Sequence, residues 1–308
     1  MVMVGQILLL ALGFVMLVKG ADWFVDGAAS VAAKFGIPQL VIGLTVVAMG
    51  TSAPEAAVSI SAAMAGSAEI TIGNIVGSNI LNVLIILGLS SIIAPLAVAK
   101  STVRIEIPFM IFITAVLAFL GRNGVIGRIS GAVLLLLFAI YLAYTIVVAI
   151  KNKDGEEEEI KQMPLLKSII FTVVGLVVVI IGSRFTVNSA SYIAKAMGLS
   201  ERFIGLTIVA LGTSLPELFT SVMAARKNNA DIAIGNIVGS NIFNILFVVG
   251  LSSMIIPVPF ASNFMFDTGV CIATSVLLLL CCFRHHRLTR PAGIVMLLCY
   301  AAYFVAIL

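Results

Sequence analysis

Charge is what this sequence lacks most. Only 10% of its 308 residues are Asp, Glu, Lys or Arg, 61% are hydrophobic, and the mean hydropathy is +1.20. So few charges cannot clothe a water-soluble domain, and that class is excluded. Cysteine is scarce too. All four residues, Cys271, Cys281, Cys282 and Cys299, fall in the last apolar runs with no polar neighbours at metal-ligand spacing, so they read as packing or lipid-facing residues. The opening segment has no basic residue ahead of its apolar run and no clear cleavage site before Lys19. It is therefore expected to be a membrane span, not a removable leader.

What is present is a succession of apolar runs, each long enough to cross a bilayer at roughly 20 residues per helix. Backbone groups in lipid must be paired within the protein, so runs of this length mean α-helices; barrel strands would be about 10 residues long and alternating. We read an all-α membrane protein with ten transmembrane helices, near residues 4–33, 38–65, 69–94, 104–120, 125–150, 165–195, 202–225, 231–256, 266–283 and 291–307. Twelve of the 18 basic residues lie in loops on one side, including Lys34, Lys100, Lys151, Arg226, Lys227 and Arg284. Four, Arg122, Arg128, Lys195 and Arg202, lie on the other. Cytoplasmic loops are enriched in Lys and Arg, so both termini are expected outside. The net charge of +4 is thus a topology signal and traces no nucleic-acid footprint.

The organising feature is an internal repeat. Residues 43–91 match residues 205–253 without a gap at an offset of 162, with 30 identities in 49 positions. Five spans per half is an odd number, so the second half must start from the opposite side of the membrane. The expected domains are a first five-helix repeat (1–150), a cytoplasmic linker (151–164) and a second, inverted five-helix repeat (165–308). Inverted repeats place a binding site near the midplane and permit alternating access to it. The linker carries a glutamate run, Glu156 to Glu159, without the glycines of a calcium loop, and reads as solvated chain.

Of the 14 acidic residues, only Glu55 and Glu217 lie mid-span inside the duplicated segment. Glu69, Glu106, Asp231 and Asp267 are assigned to loops or span ends. Asp22 and Asp26 lie deeper, but their repeat partners are Arg184 and Asn188; Asp22, near Lys19, reads as a local polar patch or water contact. A charge at the bilayer centre costs roughly 2.5–3.5 kcal/mol on insertion scales, so an intramembrane carboxylate points to function. Both glutamates end a G-T-S-x-P-E motif, residues 50–55 and 212–217. Pro54 and Pro216 cannot donate to the carbonyls of Gly50 and Gly212, so each helix is expected to break at the midplane and free carbonyl oxygens. Thr51, Ser52, Thr213 and Ser214 add hydroxyls in the same turn.

The second half-motif, G-N-I-V-G-S-N-I-x-N, spans residues 73–82 and 235–244. Ser78 with Asn82, and Ser240 with Asn244, are four apart and share a helix face. Gly73, Gly77, Gly235 and Gly239 permit close helix approach. Asn74, Asn79, Asn236 and Asn241 read as interhelical hydrogen-bonding residues or supports of the broken ends. The assembled shell is all hard oxygen, without His or Cys, which suits Na⁺, Ca²⁺ or Mg²⁺. Its flexibility favours calcium over magnesium. Two carboxylates balance one Ca²⁺ or two Na⁺, so the two loads compete for one set of ligands.

These paired motifs resemble the two α-repeats of the cation/calcium exchanger superfamily, and the whole layout is similar to its prokaryotic Na⁺/Ca²⁺ exchangers. The resemblance implies a ten-helix fold in a prokaryotic plasma (inner) membrane, electrogenic exchange of more than two Na⁺ per Ca²⁺, and gating by movement of the first and sixth helices. By position it implies calcium ligands at Glu55 and Glu217 with the backbone oxygens of Thr51 and Thr213. The implied sodium ligands are the carbonyls of Ala48 and Ala210, the hydroxyls of Thr51, Ser52, Ser78, Thr213, Ser214 and Ser240, and the same glutamates. Asn82 matches a mid-site asparagine. At Asn244 some relatives have aspartate, as in potassium-dependent exchangers, so Asn244 leans against potassium co-transport. Ca²⁺ and Na⁺ are cargo; no cofactor, catalytic activity or obligatory protein partner is implied. The nearest alternative is a Ca²⁺/H⁺ antiporter, since buried glutamates can carry protons. The hydroxyl shell favours sodium. A cation channel and a membrane-embedded acid-dyad hydrolase fit the mirrored broken helices and the ion-cage surroundings less well.

Overall fold

The computed structural model describes residues 2–151, 163–198 and 210–307. Among them, seven helices are long and apolar enough to cross a membrane, and an eighth span is a bent helix pair. The chain is an all-helical membrane protein. In order, the helices are α1 (Val2–Phe35), the bent pair α2 (Gln39–Thr51) and α3 (Ala53–Met64), α4 (Ile70–Ile93), α5 (Thr102–Gly121), α6 (Arg128–Lys151), α7 (Leu165–Ala196), α8 (Ala210–Thr213), α9 (Leu215–Arg226), α10 (Ala230–Ile255), α11 (Ser262–Phe283) and α12 (Arg290–Ile307). Most of the linker, with Glu156 to Glu159, and the opening of the span expected from residue 202 lie outside the described residues.

Burial sorts these helices into a core and a shell. α10 has 94% of its apolar window buried and α4 has 78%, whereas α1 has 17% and α6 and α7 have 22% each. The glycine-rich duplicated helices therefore form the centre, and the uniformly apolar ones face lipid. Gly235 and Gly239 place α10 directly against α2: a Cβ added at Gly239 would lie 2.5 Å from the Leu44 carbonyl oxygen.

The two longest helices, α1 and α7, pack along each other through a glycine seam. Gly13 meets Gly182 and Thr186, Gly20 meets Gly175 and Val179, and Gly27 meets Ser168 and Thr172. Residue numbers rise along one helix as they fall along the other, so the pair is antiparallel. A Cβ would come within 2.5 Å of Thr186 at Gly13, 2.8 Å of the Val179 nitrogen at Gly20 and 2.4 Å of the Thr172 nitrogen at Gly27. With no hydrophobic drive between helices in lipid, this close backbone approach supplies the packing that joins them.

The all-helical expectation needs one small addition. Four two-residue strands form two antiparallel ladders: β1 (Leu96–Ala97) with β4 (Arg287–Leu288), and β2 (Val125–Ile126) with β3 (Val258–Pro259). An offset of 162 carries β1 onto β3 and β2 onto β4, so each ladder is the repeat image of the other. They pin the loop after α4 to the one before α12, and the loop before α6 to the one after α10.

Asp22 and Asp26 find their partner on a distant helix. Lys227, at the end of α9, bridges Asp22 Oδ1 and Asp26 Oδ1 at 2.6 Å each and donates to the Asp22 carbonyl at 3.0 Å. Lys19 shares the adjoining surface pocket with Asp22, Arg226 and Lys227. Asp22 thus lies in a polar surface patch, as expected, and the packing of α1 against α9 adds Lys227 to it.

Candidate cation site

The site begins with a broken helix. α2 runs through a π-turn at Gly43–Val47 and ends at Thr51; Ser52 leaves the helical region (φ −80°, ψ 6°), and α3 resumes with Pro54 in its first turn, bent by 49°. Pro54 has no N–H to give the Gly50 carbonyl, and its fixed φ suits a helix start, so the chain ends one helix and begins another. Glu55 thereby falls in the first turn of α3. There the unpaired N–H groups of a helix N-terminus favour a negative charge. The second half repeats this: Ser214 (φ −91°, ψ 6°) breaks the chain, and Pro216 and Glu217 lie in the first turn of α9. The Gly212 carbonyl, which Pro216 cannot satisfy, accepts a 2.7 Å hydrogen bond from Ser183 of α7.

The two breaks then reach across to each other. Ser52 Oγ donates to Glu217 Oε1 at 2.7 Å, and Ser214 Oγ donates to Glu55 Oε1 at 3.0 Å. The Thr213 hydroxyl also sits beside the Glu55 carboxylate, and the Thr51 hydroxyl beside that of Glu217. Thr51 Oγ1 is within reach of the Val47 and Ala48 carbonyls (3.1 and 3.3 Å) and of Asn236 Oδ1 (3.0 Å). Each motif thus holds the carboxylate of the other half, so neither half can build the site alone.

Eight side chains on α4 and α10 complete it. Asn74 Nδ2 bonds Ser59 Oγ at 2.9 Å and the Glu55 carbonyl at 3.4 Å; Asn236 Nδ2 bonds Ser221 Oγ at 2.8 Å and the Glu217 carbonyl at 3.4 Å. These asparagines brace the broken ends. Asn79 and Asn241 each donate to the other's backbone carbonyl at 3.1 Å. Asn82 Nδ2 donates to Asn241 Oδ1 at 3.0 Å, and Asn244 Nδ2 to Asn79 Oδ1 at 3.1 Å. Ser78 and Ser240 are buried on the same helices, and Ser240 Oγ donates to the Ala48 carbonyl at 3.4 Å. Ala210, the remaining expected ligand, opens α8 at the position equivalent to Ala48.

Four oxygens are left over: Glu55 Oε2, Glu217 Oε2, Asn82 Oδ1 and Asn244 Oδ1 are buried with no hydrogen-bond partner. All are acceptors. Glu55 is 1% exposed and Glu217 fully buried, and among the described residues neither carboxylate has a Lys or Arg within ion-pair distance. Two buried carboxylates without a counter-charge carry a penalty of several kcal/mol that a cation or protons must relieve. Among the described residues there is no cluster of three or more His, Cys, Asp or Glu. The unmet demand is therefore one for hard, positively charged guests.

Ser59 and Ser221 went unnoticed in the sequence, although both follow their glutamate by four residues and so share its helix face. Ser183 had no such signal, since its repeat partner is Ala21.

The sequence comparisons agree with this geometry. The family model "Sodium/calcium exchanger protein" matches residues 5–147 and 167–308. The chain belongs to the sodium/calcium exchanger protein family. This family member is 33% identical to sodium/calcium exchanger MaX1 of Methanosarcina acetivorans, over 97% of each chain. It is 35% identical to inner membrane protein YrbG of Escherichia coli K12, over 90% of this chain and 88% of that protein. Among solved structures it is similar to the sodium-calcium exchanger NCX_Mj soaked with Na⁺ and Sr²⁺, with a TM-score of 0.87, 36% identity, and coverage of 98% of this chain and 99% of that one. The exchanger family is one of transporters, and no cofactor enters its exchange of ions.

Proposed function

We propose that the chain is a secondary antiporter that exchanges Na⁺ for Ca²⁺ by alternating access, electrogenically and without K⁺. The carrying observation is the set of four buried acceptor oxygens, two from each repeat, that have no partner among the described residues, around two carboxylates with no Lys or Arg in ion-pair distance among those residues. The ligands are Glu55 and Glu217, the hydroxyls of Thr51, Ser52, Ser78, Thr213, Ser214 and Ser240, the carboxamide oxygens of Asn82 and Asn244, and backbone oxygens of Ala48, Thr51, Ala210 and Thr213. Calcium accepts six to eight oxygens in irregular geometry, which suits so mixed a set. One Ca²⁺ or two Na⁺ neutralises the glutamates, and a third Na⁺ moves net charge. Asn244, where an aspartate would add a third negative charge, supports independence from K⁺.

The architecture we infer is ten spans in two inverted repeats, residues 1–150 and 165–308 joined by a cytoplasmic linker at 151–164, in a prokaryotic inner membrane with both termini outside. The antiparallel packing of α1 on α7, which are repeat partners, supports inversion. The exchanged pairing of the four short strands supports a two-fold relation between halves. A loaded site is electrically satisfied and can turn from one side to the other; an unloaded one carries two bare buried charges and is held back.

The test is calcium uptake into proteoliposomes loaded with Na⁺ and diluted into Na⁺-free buffer. Uptake that requires the outward Na⁺ gradient, persists without K⁺ and is accelerated by a counter-ion shunt is the expected result. Uptake driven only by a pH gradient would make the protein a Ca²⁺/H⁺ antiporter and overturn the assignment of sodium.

A further inference from the structure

One buried carboxylate is left unused by the central site. Glu106, read from the sequence as a span-end residue, is 2% exposed near the start of α5. Its Oε1 accepts a hydrogen bond from Tyr144 of α6, while its Oε2 is buried without a partner. Thr102 Oγ1, fully buried and one turn earlier, lies beside the same carboxylate and has no other side-chain partner among the described residues. The Ser101 hydroxyl is also close to the carboxylate. Among the described residues no Lys or Arg pairs with it.

Its backbone is exceptional as well. Residues Thr102–Glu106 form a π-turn, a rare local widening that clusters at functional sites. The π-turns at Asn82–Leu87 and Asn244–Val249 are repeat images of each other. The repeat image of 102–106 is 264–268, which is regular α-helix within α11; there Thr268, standing where Glu106 stands, bonds the Phe264 carbonyl of its own helix. Neither the acid nor the widened turn is inherited from the duplicated pattern, so they need a separate cause. The neighbourhood also connects to the central site. Tyr141, one turn before Tyr144 on α6, donates to the Leu44 carbonyl at 3.2 Å, and Leu44 lies one turn before Ala48 on α2.

We infer that Glu106, Thr102 and the widened turn between them form a second cation site, off the centre and present in one repeat only, that takes a monovalent ion such as Na⁺. A lone carboxylate matches one positive charge. Glu106 Oε2, with the Thr102 and Ser101 hydroxyls beside the carboxylate, offers a hard-oxygen set, and Tyr144 holds the other carboxylate oxygen in place.

The site is testable by binding, independently of transport. In a Glu55→Gln/Glu217→Gln background the central site no longer holds its charges. Purified in detergent, that double variant should still melt at higher temperature in NaCl than in equimolar choline chloride. Adding Glu106→Gln should remove the difference while leaving the melting temperature in choline within a few degrees. Thr102→Val, which keeps the charge, should raise the Na⁺ concentration at half-maximal stabilisation at least threefold. No Na⁺ effect in the double variant, or an effect that survives Glu106→Gln, would overturn the site whatever the protein transports.

Discussion

At the scale of single residues, Glu55 and Glu217 do opposite things for stability and function. Their burial opposes folding; in the site proposed above, their unmet charge is what selects cations. Replacing either by Gln keeps the shape and the hydrogen bond from Ser214 or Ser52, so the fold should persist while Na⁺-driven Ca²⁺ uptake is abolished. Glu157→Gln, in the 151–164 segment, should transport at the unaltered rate, and normal uptake by Glu55→Gln or Glu217→Gln would refute the ligand assignment. Ser52→Ala and Ser214→Ala remove one hydrogen bond to a carboxylate each, an interaction of about 1.5–3 kcal/mol. Calcium titrations should therefore show apparent affinity falling about tenfold or more in each. The two glutamates were legible in the sequence because a repeated carboxylate after a proline, deep in an apolar run, has few explanations. The crosswise pairing was not. Nothing in 50–55 or 212–217 says that Ser52 serves Glu217 and not Glu55, because that depends on how the two halves face each other. Glu106 does lie near a span end, but its burial was not legible for a related reason: a boundary position suggested water, and it is the packing of α6, with Tyr144, that covers it.

At the scale of elements, the long apolar helices were readable because apolar runs of bilayer length admit one backbone solution; of the ten spans expected, up to eight meet the length and composition of a span among the described residues. The breaks were readable because proline removes a donor at a known place. The glycine seam between α1 and α7 was not, since Gly13, Gly20 and Gly27 gain meaning only once α7 lies against them. That seam yields a graded prediction. Gly27→Ala, whose Cβ would come within 2.4 Å of the Thr172 nitrogen, must push two backbones apart. Overpacking of this kind costs about 1–3 kcal/mol, so thermal unfolding in detergent should show a clear loss. Gly269→Ala, on an exposed face of α11 with nothing within 4 Å of the new Cβ, should be neutral or slightly stabilising. Equal effects at the two positions would mean that the seam does not depend on close approach.

At the scale of the whole molecule, the duplicated core treats its two ends alike: each buried bond around Glu55 has a partner around Glu217, and each strand ladder has its image. The clasp of Lys227 on Asp22 and Asp26 has no such image. The equivalent positions are Ala65, Arg184 and Asn188, which cannot build it. A carrier made of two equal halves would rest indifferently open to either side. Under the alternating access proposed above, a clasp with no image among the described residues would tilt the resting balance, and loading from one side would begin by releasing a three-part grip that loading from the other does not meet. Lys227→Ala should therefore change the ratio of forward to reverse exchange rates in oriented vesicles and leave equilibrium Ca²⁺ affinity nearly unchanged; an unaltered ratio would show the clasp to be mere surface pairing. The direction in which such a protein works best would then be written not in its ion cage, which is even-handed, but in one lysine at its rim.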